Sequence, residues 1–170
     1  GLGELTIFLT FGPLLTLGTG FAISSETIIL FSEEFYNLFF LGIPFGLLTT
    51  NILFINQFPD YKSDKLAGKN NLVVLFGKKD SRWIYLFFLS LTFAFMFYFV
   101  DTLIENISNF SVTLFYIFNS VLIIIGLLIV SHIFKNYNKR SLVRSNINTI
   151  YYQMLFSILY IIILNPFYLN

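Results

Sequence analysis

Asp60 and Asp64 stand four residues apart in the stretch Asn56-Gln57-Phe58-Pro59-Asp60-Tyr61-Lys62-Ser63-Asp64-Lys65-Leu66-Ala67-Gly68-Lys69. On a helix that spacing puts both carboxylates on one face. Mg²⁺ takes oxygen ligands, keeps several waters, and is usually held by one or two carboxylates together with substrate phosphate oxygens. Two aspartates on adjacent turns can hold such an ion and leave positions open for a diphosphate. Lys65 and Lys69, also four apart, could neutralise phosphate oxygens that the metal does not reach. Pro59 suits the first turn of a helix, where its missing N–H costs nothing. It biases Phe58 toward an extended backbone. The pattern predicts a break or kink at Phe58, just after Asn56, with the Asp pair on a separate short helix. The plain alternative is that these are solvated charges at a helix end, with lysines that serve only to set topology.

The elements that must position this segment are apolar. Of the 170 residues 56% are hydrophobic and 11% charged, with 23 Phe and 10 Tyr. Soluble domains carry about 25% charged residues. A soluble domain of this size also exposes roughly a third of its unfolded surface, so lipid is the solvent that accommodates this composition. Five apolar segments approach the roughly 20 residues needed to cross a bilayer: about Leu5 to Ile23, Tyr36 to Phe58, Trp83 to Val100, Ser111 to Phe134 and Asn148 to Leu164. They are too long for barrel strands and lack alternation. The fold class expected is all-α, a polytopic transmembrane helix bundle.

The ten Lys and Arg fall in two connections. Lys62, Lys65, Lys69, Lys78, Lys79 and Arg82 lie between the second and third segments; Lys135, Lys139, Arg140 and Arg144 lie between the fourth and fifth. The other two connections carry Glu26, Glu33 and Glu34, and Asp101 and Glu105. The positive-inside rule then places the Asp motif on the cytoplasmic side. No cysteine is present, which excludes disulfides and thiolate metal sites. The chain opens on Gly1 with no basic stretch ahead of a short apolar run, so no signal peptide is expected and the start suggests a piece of a longer protein. No Asp, Glu, Lys or Arg is expected deep within a span, which counts against an ion pathway. A membrane scaffold without catalysis is the remaining rival.

Chemistry suited to this setting is cleavage of an allylic diphosphate. Metal and lysine would stabilise charge on the leaving group. Aromatic faces could stabilise the allyl cation, and an apolar cavity would exclude water. The pattern Asn56…Asp60-x-x-x-Asp64-Lys65-x-x-Gly68-Lys69-x-x-Leu72-Val73-Val74-x-Phe76-Gly77 resembles the second aspartate-rich motif of the UbiA superfamily of membrane prenyltransferases. Gly1-Leu2-Gly3-Glu4-Leu5, followed by Phe11-Gly12-Pro13-Leu14, resembles the helix that opens this half in the menaquinone-type branch, which includes 1,4-dihydroxy-2-naphthoate polyprenyltransferases. Pro59 and Gln57 stand where that branch often carries Arg and Asn.

The resemblance implies the second half of a bundle of about nine helices, across residues 1–170. It implies transfer of a polyprenyl group from a prenyl diphosphate to an aromatic acceptor, with dihydroxynaphthoate first and 4-hydroxybenzoate, homogentisate or a glycerol phosphate as alternatives. It implies Mg²⁺ on Asp60 and Asp64, diphosphate contacts from Lys69 and Lys65, and Asn56 as a polar wall near the metal. No nucleic acid is implied as a partner. The family's first motif is absent from the sequence, so the resemblance implies that the N-terminal half is required and that this stretch alone is inactive.

Other residues have plainer readings. Gly12-Pro13, and Gly42, Pro44 and Gly46, are expected to kink or thin their helices for packing. Thr49, Thr50, Asn51 and Asn119 are expected to hydrogen-bond across helices, with acceptor contact the alternative for Asn51 and Asn119. His132 is expected at an interface rather than as a ligand, and Arg140 and Arg144 near lipid headgroups. Phe93, Phe95, Phe97, Tyr98 and Phe99 are expected to face lipid or pack. Glu4, from its place in the resemblance, is expected to be structural or to meet the acceptor.

Overall fold

A computed structural model describes residues 1–24, 30–103 and 109–168. The elements are α1 (Leu2–Leu9), a π-helical turn (Thr10–Leu14), α2 (Leu15–Ile23), α3 (Glu33–Leu66), α4 (Leu72–Leu103), α5 (Asn109–Asn136), a 3₁₀ turn (Arg140–Leu142) and α6 (Val143–Tyr168). There is no strand among the described residues, and the expected helical bundle is what forms. Among the described residues four stretches are long and apolar enough to cross a membrane: Leu2–Ile23, Glu33–Leu66, Leu72–Tyr98 and Val112–Asn136. The fifth expected segment lies within α6. Glu26 and Glu105, two of the acidic residues expected in the connections, lie outside the described residues, as do the side chains of Asp101 and Phe99.

α3 is the hub. It packs against α1, α4 and α6. The first helix bends where Gly12 leaves helical geometry (φ −115°, ψ −107°) ahead of Pro13. There its backbone meets that of α3. A Cβ on Gly12 would lie 2.7 Å from both the Gly42 carbonyl oxygen and the Gly46 Cα; one on Gly42 would lie 2.6 Å from the Pro13 Cα; one on Gly46 would lie 2.5 Å from the Phe8 carbonyl oxygen. Three glycines thus let two backbones touch, the close approach that small residues provide in membrane bundles. The packing reading of these glycines holds.

The expected break at Phe58 is not there. α3 runs through Pro59 to Leu66 as one helix. An interior proline forfeits a hydrogen bond and crowds the preceding turn, at a cost of about 3 kcal/mol. Contacts on both sides outweigh it. Phe58 is fully buried and meets Phe54 edge-on, with ring centroids 5.7 Å apart. Gln57 and Asp64 are each held by side chains from elsewhere.

α4 begins well before the expected Trp83. It is interrupted at Gly77, whose φ of 77° and ψ of 156° only glycine tolerates readily. The connection between α3 and α4 is therefore just residues 67–71. It ends α3 in a Schellman arrangement: Gly68 has φ 70°, its N–H donates to the Lys65 carbonyl at 3.3 Å, and the Lys69 N–H donates to the Asp64 carbonyl at 3.0 Å.

Of the polar groups expected to bond across helices, Asn51, Thr49 and Asn119 do so and Thr50 does not. Asn51 donates to the Tyr85 carbonyl at 3.4 Å. Thr49 accepts from Gln153 of α6 at 2.7 Å. Thr50 bonds within its own helix, to Gly46. Tyr160 donates to Asn119 Oδ1 at 2.9 Å. His132 Nδ1 shares a 2.7 Å hydrogen bond with Ser145, which ties α5 to α6. Among the aromatic residues Phe93 is buried and Tyr98 is 60% exposed, whereas Phe95 stacks on Phe40 and Phe97 on Tyr116.

Candidate functional site

An open cleft of about 580 Å³ lies where α1, the end of α3 and the start of α4 meet. Its walls include Glu4, Asn56, Gln57, Asp60, Asp64, Lys69, Asn70 and Asn71. Four of the five residues picked out by sequence come together here: Asn56, Asp60, Asp64 and Lys69. Lys65 does not line the cleft; its ammonium sits over the Tyr61 ring, 5.8 Å from the centroid. On a helix, residue 65 is about 100° round from residue 64, which turns it away from the face that Asp60 and Asp64 share.

The two carboxylates differ. Asp64 is 7% exposed, and both its oxygens are engaged. Lys69 Nζ donates to Oδ1 at 2.7 Å, and Asn71 Nδ2 donates to Oδ2 at 2.9 Å. The Schellman turn brings Lys69 back over the last turn of α3 and so makes its bridge to Asp64 possible. That hydrogen bond, with the carboxylate charge behind it, holds the Lys69 ammonium above the ordinary lysine range. Asp60, one turn earlier, is exposed and open to a ligand. Asn56, a turn before that, accepts from Asn146 Nδ2 of α6 at 2.8 Å.

Behind the carboxylates stands a layer of hydrogen bonds that sequence reading did not find. Asn71 precedes α4 and caps it: its Oδ1 accepts the Val74 N–H at 2.9 Å. The signal was legible, because an Asn just before an apolar run is a helix-start signature. Glu4 is 3% exposed, and its Oε1 accepts from Gln57 Nε2 at 2.8 Å and from the Leu72 N–H at 3.0 Å. The structural expectation for Glu4 has this form.

Among the described residues no three His, Cys, Asp or Glu side chains gather to hold a metal ion. The donor set present is two carboxylates on one face, flanked by an ammonium and amides. That set fits Mg²⁺ only in its substrate-bridged form, with phosphate oxygens and water completing the shell.

The sequence profile of the UbiA prenyltransferase family matches residues 1–159. A curated relative, UbiA prenyltransferase domain-containing protein 1 of Dictyostelium discoideum, is 36% identical over 88 residues. That alignment covers 50% of this chain and 24% of the relative, so the match spans about a quarter of that protein's length. No solved structure matches the chain.

Proposed function

This chain belongs to the UbiA prenyltransferase family, and we propose that it supplies one half of the site for Mg²⁺-dependent transfer of a polyprenyl group from an allylic diphosphate to an aromatic acceptor. The observation that carries this reading is the meeting of Asp60, Asp64 and Lys69 in one open cleft, at the end of a helix long and apolar enough to span a membrane. Asp60 and Asp64 would hold Mg²⁺, and the chemistry the ion would supply there is neutralisation of charge on the leaving diphosphate. The chain's own residues do the rest. Asp60 and Asp64 set the place of that ion, and through it of the diphosphate end, at the mouth of the bundle. Lys69 offers its ammonium to the oxygens that become more negative as the C–O bond breaks and its electron pair moves to the diphosphate. An acceptor ring carbon then bonds to the allyl carbon, and the ring proton leaves.

Within this reading the acceptor is 1,4-dihydroxy-2-naphthoate, in a menaquinone-type pathway. The motif faces the cytoplasm, following the distribution of Lys and Arg. The N-terminal half of the bundle supplies the other aspartate-rich wall. The test is prenyl transfer in membranes that contain the full-length gene product, with radiolabelled polyprenyl diphosphate, Mg²⁺ and dihydroxynaphthoate. Asp60→Ala and Asp64→Ala are each expected to lower transfer by about a hundredfold or more, and EDTA to abolish it, with the protein still inserted. Equal product from Asp60→Ala and wild type would remove the metal assignment. Product with 4-hydroxybenzoate alone would move the acceptor.

A further inference from the structure

Glu4 sits a full helix away from the aspartates in sequence, yet it touches the frame that holds one of them. Its Oε1 takes two donors at once, Gln57 Nε2 from α3 at 2.8 Å and the Leu72 N–H from the start of α4 at 3.0 Å. The Leu72 N–H belongs to the peptide plane that joins Asn71 to Leu72. Fixing that plane fixes where the Asn71 side chain begins. Asn71 in turn bonds Asp64 Oδ2 at 2.9 Å and caps Val74 at 2.9 Å. Two of the unpaired N–H groups in the first turn of α4 are therefore satisfied by side chains, and each of those side chains also ties the turn to α3.

We propose that Glu4 is a positioning residue for the site: through the Leu72 N–H and Asn71 it sets the orientation of the Asp64 carboxylate. The proposal rests on the reading of Asp64 as a metal and diphosphate holder. It requires Glu4 to act by reach and hydrogen-bond acceptance, not by its charge. A carboxylate acting on an acceptor substrate would need the charge. The two roles part on conservative substitutions. Glu4→Gln keeps a carbonyl oxygen at the same reach for both donors. Glu4→Asp keeps the charge but withdraws the oxygens by one methylene, so one oxygen no longer serves both α3 and α4.

The experiment uses the purified full-length protein in lipid nanodiscs and two readouts. The first is Mn²⁺ binding followed by electron paramagnetic resonance, with inorganic diphosphate present. The second is the Mg²⁺ concentration that gives half-maximal prenyl transfer. Groups that orient metal ligands typically change affinity by about 10- to 100-fold when lost. Glu4→Asp is therefore expected to weaken Mn²⁺ binding about tenfold and to raise the Mg²⁺ requirement by a similar factor, whereas Glu4→Gln stays within about twofold of wild type on both. Loss in Glu4→Gln with retention in Glu4→Asp would overturn the proposal in favour of a charge acting on substrate. Unchanged Mn²⁺ binding in both variants would overturn it as well. If wild type itself binds no Mn²⁺ with diphosphate, the reading of Asp64 fails first and takes the proposal with it. Wild-type binding without transfer would leave the Mn²⁺ comparison to decide the role of Glu4.

Discussion

α1 and the π-helical turn that follows it meet α3 in two places, and the places are built on opposite principles. At Gly12, Gly42 and Gly46 the helices touch backbone to backbone, with no room for a Cβ. Near Glu4 and Gln57 they are joined by a buried hydrogen bond between long side chains, which extends to Leu72, Asn71 and Asp64. The first contact is made chiefly by main-chain atoms. Its content is shape, and any added atom must move a backbone. The second has polar groups whose geometry matters more than their packing. It follows that damage to the glycine crossing should remove the fold, and damage to the polar junction should remove chemistry while the fold survives.

The largest effect is therefore expected at Gly46. Gly46→Leu would drive a side chain into the Phe8 carbonyl and the Gly12 Cα. Overpacking of a side-chain core costs about 1–3 kcal/mol; here the obstacle is main chain, and a loss beyond that range is expected. The observable is the yield of monodisperse protein in mild detergent and its thermal midpoint. Gly18→Leu is the internal control. A Cβ there meets nothing within 4 Å, so a change below about 0.5 kcal/mol is expected. Equal damage from the two substitutions would mean that the crossing is not the close contact described.

The polar junction breaks the other way. Lys69→Met should lower prenyl transfer by about a hundredfold, the loss typical of one preorganised charge-stabilising donor. Its stability should change little, because Lys69 is 64% exposed and bridges of this kind contribute little. The Asp64 bridge raises the Lys69 pKa. Its contribution is therefore complete below the ordinary lysine pKa and fades only as pH climbs through the raised value. The deficit of Lys69→Met should accordingly be flat across neutral pH. A thermal midpoint that falls as far as that of Gly46→Leu would erase the distinction between the two regions.

The same contrast explains what could be read from the sequence. The glycine crossing was legible in part, since glycine and proline within apolar runs announce close packing and bends. The Asp pair was legible from type and spacing, because one turn of helix brings the two carboxylates together; Asn56 was singled out by the family resemblance, and Lys69 reaches the pair through the turn at Gly68. Lys65 shared the spacing with Lys69 but sits over Tyr61; the roughly 100° step from residue 64 and the Schellman turn at Gly68 distinguish the two lysines. The continuity of α3 through Pro59 was not legible. It depends on Phe58 and Phe54 packing and on Gln57 being held by Glu4, a contact across 53 residues. The role of Glu4 at Leu72 spans 68 residues and has no periodicity to betray it.

A third contact sharpens the comparison, because it has hydrogen bonds and no cleft. Between α5 and α6, Tyr160 donates to Asn119 Oδ1 at 2.9 Å, and Asn119 donates to the Phe115 carbonyl at 2.9 Å. Both side chains are buried, and neither lines the cleft that holds Asp60 and Asp64. Tyr160→Phe removes one donor and leaves the ring against Phe156, where the centroids are 4.4 Å apart. Interhelical hydrogen bonds in membranes average about 0.6 kcal/mol and reach roughly 1.7 kcal/mol. A loss in that range, read as a small fall in thermal midpoint, is expected. The Mg²⁺ requirement for transfer should not move. If it does, hydrogen bonding anywhere in the bundle tunes the site, and the junction near Glu4 loses its claim to a special role. If it stays put while Glu4→Asp shifts it, what matters is not the presence of a buried hydrogen bond but its connection, through Leu72 and Asn71, to Asp64.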